Sequence, residues 1–214
     1  MLLPSKYIPQ IATDFVGPAG NVASRMMRFI HNSKQTGDPI AFLLTGPPGV
    51  GKTELARWVG VQLGVTGAFL EPLNGTQLTI ERVDEIANRL HYRNMFGDWH
   101  FINVDEFEFV SAAAKARLLT VLNRPPRYTA FVATANRGVD ELAQRNQSRF
   151  NAFELTSPEP HEIRDFLARK FEIPGDIADA VIKCATKQVD LFTTIDFRQV
   201  LKDCDEVILM RQAA

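Results

Sequence analysis

Residues 46–53 read Gly-Pro-Pro-Gly-Val-Gly-Lys-Thr, and this run constrains the fold of the 214-residue chain more than any other feature. It fits the pattern G-x-x-x-x-G-K-[ST] at every required position. It also follows the apolar segment from Ile40 to Thr45 and opens a helical pattern from Glu54 to Leu63. A strand that empties through a glycine-rich loop into a helix makes a phosphate cradle. The glycines let backbone N–H groups turn inward on a polyphosphate, and the helix N-terminus adds partial positive charge. Gly46, Pro47, Pro48, Gly49, Val50 and Gly51 would form that cradle. Lys52 would reach the β- and γ-phosphates of a nucleotide such as ATP, and the Thr53 hydroxyl would ligate Mg²⁺. A plain Gly/Pro turn is the alternative, and the flanking strand and helix argue against it.

A second element follows at Phe101-Ile102-Asn103-Val104-Asp105-Glu106. An apolar strand that ends in Asp-Glu puts two carboxylates at the C-terminal edge of a parallel sheet, where open α/β folds bind ligands. Asp105 would hold the Mg²⁺ shell, and Glu106 would orient and deprotonate an attacking water. Glu108 is expected to face solvent. The segment Tyr128 to Thr134 reads as a third strand ending in Ala135-Asn136, where a neutral amide could hydrogen-bond a γ-phosphate and the lytic water without adding charge. Two arginines stand in suggestive places: Arg149, before the last strand, and Arg198, early in the last helix. A guanidinium stabilises charge on a transferring phosphoryl group, while a surface ion pair of little consequence is the alternative for each.

Along the chain, helical and strand patterns alternate through the first 156 residues. Val22–Ile30 reads as helix, Ala68–Leu73 as the second strand, His100–Val104, Tyr128–Thr134 and Ala152–Leu155 as further strands, and Ala112–Leu122 as helix. This spacing implies a mostly parallel sheet covered on both faces. After Ser157-Pro158-Glu159-Pro160 the pattern is helical only, over Glu162–Phe171, Ile177–Gln188 and Ile195–Met210. The expectation is an α/β nucleotide-binding domain over 1–156 and a small all-helical lid over 157–214. Composition adds exclusions. At 45% hydrophobic and 23% charged the chain is too apolar for disorder, and its longest apolar run, Ile40–Leu44, is far too short to span a membrane. The N-terminus lacks a signal-peptide layout, so a soluble cytoplasmic protein with no membrane partner is expected. A net charge of −1 makes no case for nucleic acid, although Lys115, Arg117 and Arg124 could offer a local contact. Cys184 and Cys204 read as core, as do Trp58, Phe69 and Phe101, and the four histidines show no metal spacing.

Taken together, these motifs resemble the AAA+ ATPases, most closely the clamp-loader ATPase subunits, including those of phages. The opening Lys6-Tyr7-Ile8-Pro9 with Asp14-Phe15-Val16-Gly17 resembles the clamp-loader opening. That resemblance implies that Tyr7 and Ile8 lie against the adenine. Leu73-Asn74-Gly75-Thr76 resembles their second-strand segment, Asp105-Glu106-Phe107-Glu108 their acidic box, and Thr134-Ala135-Asn136 their first sensor. Gln147-Ser148-Arg149-Phe150 resembles the motif whose arginine reaches a neighbouring subunit's ATP. Asp196-Phe197-Arg198 resembles the second-sensor helix, whose arginine touches the γ-phosphate of its own subunit. The collar domain of clamp loaders has no counterpart in these 214 residues.

The resemblance implies an oligomeric ATP hydrolase of like or unlike AAA+ subunits that uses ATP and Mg²⁺. Its implied work is loading or remodelling a component of DNA replication, recombination or transposition, with DNA and such a component as partners. The alternatives are a protein-remodelling AAA+ ATPase without nucleic-acid contact and a nucleotide-regulated structural subunit.

Overall fold

The computed structural model describes residues 7–92, 97–136, 149–189 and 192–213; Lys6, Gln147 and Ser148 of the motifs above lie outside them. Five parallel strands form the main sheet: β1 (Ile40–Thr45), β2 (Leu73–Asn74), β3 (His100–Asp105), β4 (Thr129–Ala135) and β5 (Asn151–Glu154). Their order is β2-β3-β4-β1-β5. β4 is buried along its whole length and β1 almost so, which is why both read as continuous apolar runs.

Alternation along the strands sends successive side chains to opposite faces. Leu43, Ile102, Val104, Phe131 and Ala133 pack with Val83, Ile86 and Leu90 of α3 (Ile80–Leu90) and with Ala114, Leu118 and Leu122 of α4 (Ala112–Leu122). On the other face, Phe42 meets Phe29 of α1 (Pro18–Thr36) and Phe153 of β5, edge to face. Helix α2 (Lys52–Gln62) follows the glycine-rich loop. The Thr79 and Ser111 hydroxyls cap α3 and α4, accepting the N–H groups of Arg82 and Ala114 at 3.3 and 3.2 Å.

The chain divides into two compact units. One comprises residues 25–46 and 52–154 and holds the five-stranded sheet; the other comprises residues 1–24, 47–51 and 155–214. The second unit is built on α5 (Pro160–Phe171), α6 (Gly175–Ala185) and α7 (Phe197–Ala213). Its core joins Val16 to Ile163, Phe166, Leu167, Phe171, Val181, Ile182, Ile195, Val200 and Cys204.

The structure amends several expectations. The C-terminal helices are present, but they are not the only regular structure there. The helix expected to reach Gln188 stops at Ala185, and β6 (Thr186–Val189) pairs antiparallel with β7 (Phe192–Ile195). Threonine, valine and isoleucine dominate these segments, and such β-branched residues favour extended backbone over helix. The second strand is only Leu73–Asn74. Residues 67–70 instead form a 3-10 turn, and Phe69 is exposed. Cys184 is also exposed, whereas Cys204 is buried and that burial pushes its thiol up to about 12. Among the described residues no helix is long and apolar enough to cross a membrane.

Candidate functional site

The glycine-rich loop leaves β1 at Gly46 and enters α2 at Lys52. Gly49 holds φ +82°, and a β-carbon there would fall 2.2 Å from Oδ1 of Asp196, so only glycine fits both the backbone and the space. Asp196 accepts the Gln199 N–H at 3.2 Å and so closes the N-terminal turn of α7, in which Arg198 lies exposed. Lys52 is buried, and its ammonium donates to the Gly46 carbonyl at 2.9 Å. A lysine folded onto its own loop keeps the cation where a polyphosphate would lie.

Asp105 ends β3 and gathers three donors. Its Oδ2 accepts the Thr53 hydroxyl at 3.1 Å, while Oδ1 accepts the Thr134 hydroxyl and the Glu106 N–H. The pairing of Thr53 with Asp105 joins the first turn of α2 to the end of β3. A hydroxyl and a carboxylate so placed are the oxygen donors that Mg²⁺ prefers, so these residues fit that ion.

Glu106 follows in a left-handed conformation, φ 55° and ψ 48°, uncommon for a residue with a side chain. Its Oε2 accepts the side-chain amide of Asn74 at 2.7 Å. Asn74 is itself oriented: its Oδ1 accepts the Thr76 N–H and hydroxyl at 3.0 and 2.7 Å, leaving Nδ2 for Glu106. Beside it, a β-carbon at Gly75 would fall 2.2 Å from the Glu106 carbonyl oxygen, so the absence of a side chain lets the two turns meet. The sequence reading gave Asn74, Thr134 and Glu108 no role in the site. The sequence signal for Asn74 is its place in Leu73-Asn74-Gly75-Thr76; its register with Asp105 is visible only in the sheet.

Asn136 lies just beyond β4. Ala135 pairs with Thr45, so Asn136 stands level with Gly46 at the start of the loop. Its N–H donates to Oε1 of Glu108 at 3.0 Å. Glu108 is therefore not the solvent-facing acid expected: it is half-buried and its Oε2 is enclosed.

Arg149 is elsewhere. Asn151 pairs with Phe42, which puts Arg149 level with Ile40 at the start of β1, and both line one cavity with Pro39 and Asn123. Its guanidinium donates to the Asn123 side chain. β1 has six residues. At about 3.3 Å per residue its two ends stand roughly 17 Å apart. Lys52, Thr53, Asp105, Glu106 and Asn136 gather at the C-terminal edge of the sheet, and Arg149 sits at the opposite edge.

Tyr7 packs edge to face on Phe166 and Phe171, while Ile8 is exposed. Of the three basic residues raised as DNA contacts, Arg117 pairs with Asp84 at 2.5 Å. Lys115 donates to the Glu108 carbonyl at 3.1 Å, and Arg124 is exposed.

Residues 42–157 match the family described as the ATPase family associated with various cellular activities (AAA). The chain belongs to this family. The match runs from β1 to just beyond β5, so the five-stranded sheet is an AAA ATPase domain. The AAA chain is also 27% identical over 187 residues to the Holliday junction branch migration complex subunit RuvB of Rubrobacter xylanophilus, which covers 78% of this chain. It spans about half the length of that relative. Among solved structures, it resembles the Thermotoga maritima RuvB Holliday junction branch migration motor with a TM-score of 0.69 and 20% identity. The likeness covers 96% of this chain and 66% of that one. A point mutant of the same motor gives 0.72 and 19%, with the same coverage. These relatives are branch-migration proteins rather than the clamp-loader subunits that the motifs suggested. Both groups are AAA+ ATPases, which is why the motifs of the nucleotide site do not separate them.

Proposed function

We propose that this AAA chain hydrolyses ATP as a subunit of a ring or partial ring and couples the reaction to remodelling a DNA recombination, replication or transposition component. One observation carries the reading: the residues suited to phosphate and water stand at one edge of the sheet, and Arg149 stands roughly 17 Å away at the other. An arginine so placed is of use to a neighbour's nucleotide. The likeness to RuvB supplies the DNA part, with recombination ahead of clamp loading.

In this reading the chain is an α/β domain over 1–156 with a lid over 157–214. Lys52 and the loop N–H groups hold the phosphates, and Tyr7 and Ile8 lie toward the base. Glu106 takes a proton from the attacking water, which Asn136 orients. Arg198 meets the γ-phosphate of its own subunit, and Arg149 that of the next. Mg²⁺, when bound, neutralises charge on the phosphates, and Thr53 and Asp105 would hold it. In this reading the protein is cytoplasmic.

The test is steady-state ATP turnover with no DNA, single-stranded, duplex, primed and four-way-junction DNA at low salt. Stimulation of several-fold, strongest with the junction, is expected, and it should fall as salt rises because phosphate contacts release counterions. A second reading, protein remodelling without nucleic acid, draws support from Arg117 and Lys115, which are engaged within the chain. Turnover that no DNA changes would favour it, and the absence of turnover would favour a nucleotide-regulated structural subunit.

A further inference from the structure

The hydrolysis scheme leaves Glu108 without a part. Its backbone is fixed twice. The carbonyl accepts the Lys115 ammonium from α4 at 3.1 Å, and the preceding residue, Phe107, is buried against Phe131 and Phe150. Lys115 also lies 5.4 Å from the centre of the Phe107 ring. Burial lowers the pKa of this ammonium, and the Glu108 charge opposes that shift.

From this anchored turn the side chain reaches across to the end of β4. Oε1 takes the Asn136 N–H at 3.0 Å, and Oε2 is buried with no hydrogen-bond partner among the described residues. The carboxylate thus directs one oxygen to a single backbone donor at the point where β4 ends and Asn136 leaves the ladder. A residue just past a strand end has lost its sheet partners, so its direction depends on what holds its backbone.

We propose that Glu108 is a positioning residue for hydrolysis: by holding the Asn136 N–H it sets where the Asn136 side chain stands beyond the end of β4, level with Gly46. This rests on the reading of Asn136 as a residue that orients the lytic water. Glu108 touches neither nucleotide nor water in this account. It acts through the backbone of another residue, and an amide oxygen should serve nearly as well as a carboxylate.

The experiment compares Glu108→Ala, Glu108→Gln, Asn136→Ala and the double variant Glu108→Ala/Asn136→Ala in the full chain. It measures kcat and KM for ATP and affinity for a non-hydrolysable ATP analogue. Displacement of an orienting group by about an ångström costs up to about a hundredfold in rate. Glu108→Ala should therefore lose on the order of tenfold in kcat, with KM and analogue affinity within about twofold of the parent. Glu108→Gln should keep most of the rate, and the double variant should be no slower than Asn136→Ala.

Four results overturn the proposal. In the first, Asn136→Ala is slow while Glu108→Ala is not. In the second, Glu108→Gln is as deficient as Glu108→Ala, which makes the charge and not the hydrogen bond decisive. In the third, the losses in the double variant multiply. In the fourth, Glu108→Ala no longer binds the analogue, which makes the residue a folding requirement. Full activity in Asn136→Ala would instead remove the underlying reading, and the positioning role with it.

Discussion

The side-chain amide of Asn74 donates to Oε2 of Glu106 at 2.7 Å while the Glu106 backbone is held left-handed. The carboxylate oxygen that accepts this bond is already engaged by a donor. Asn74 thus restrains the group proposed as general base. Asn74→Ala should raise basal ATP turnover several-fold and leave nucleotide affinity close to that of the parent. Turnover that falls instead would make Asn74 a support for Glu106 rather than a restraint.

Glu106→Gln keeps the shape of the side chain but cannot take a proton. ATP binding should survive, and hydrolysis should drop on the order of a hundredfold or more. Lys52→Ala removes the ammonium that would face the phosphates in the proposed scheme and should abolish binding itself. Single-turnover kinetics beside nucleotide titration separates the two defects, and comparable turnover in Glu106→Gln would end its role as base.

Arg149 acts in trans in the proposed scheme, so specific activity should climb with protein concentration and sedimentation should show association when ATP is added. An arginine supplied from a neighbour is worth about 10³-fold or more in phosphoryl transfer. Arg149→Ala and Glu106→Gln should each be inactive alone. Mixed, they should regain activity, because some interfaces then join an intact Glu106 to an intact Arg149. A monomer with a concentration-independent rate would place Arg149 outside the chemistry.

Asp14 pairs with Lys170 at 2.6 Å, joining the N-terminal segment to α5. Burial pushes the Asp14 carboxyl up, but Lys170 and the Gln10 and Ile11 N–H groups outweigh it and hold the pKa at about 2. A depressed carboxyl stabilises the fold above its unfolded pKa of about 3.9 and loses that contribution as pH falls towards 2. Asp14→Asn should therefore cost about 1–2 kcal/mol near neutrality, after allowance for the partial exposure of Lys170. Thermal unfolding of both chains from pH 7 downward should show the gap closing below about pH 4. A gap unchanged across that range would assign the loss to packing.

The positions of the glycine-rich loop and of the two carboxylates in the fold are legible because each is local. Gly46 to Thr53 and Asp105-Glu106 carry their chemistry in consecutive residues, and the apolar strands before them announce where they stand. The contacts of Asn74, Thr134 and Glu108 were not legible, because each depends on which strands lie side by side. Asn74 reaches Glu106 only because β2 pairs with β3, and Thr134 reaches Asp105 only because β3 pairs with β4. The helix expected to reach Gln188 gives way after Ala185 for a different reason. From Thr186 to Val189 a helical extension competes with strand pairing, and the β-branched content that decides between them is a weak local signal.

Strand β1 ends in the phosphate loop and begins level with Arg149, so it gives the proposed assembly a polarity. An interface that joins one subunit's arginine edge to the next subunit's loop edge is head-to-tail, and such contacts close only as a ring. Any open arc then carries one loop without an arginine and one arginine without a loop. Those two orphan ends, rather than any interior subunit, would be where a different protein could cap the arc and fix how many of its nucleotide sites fire.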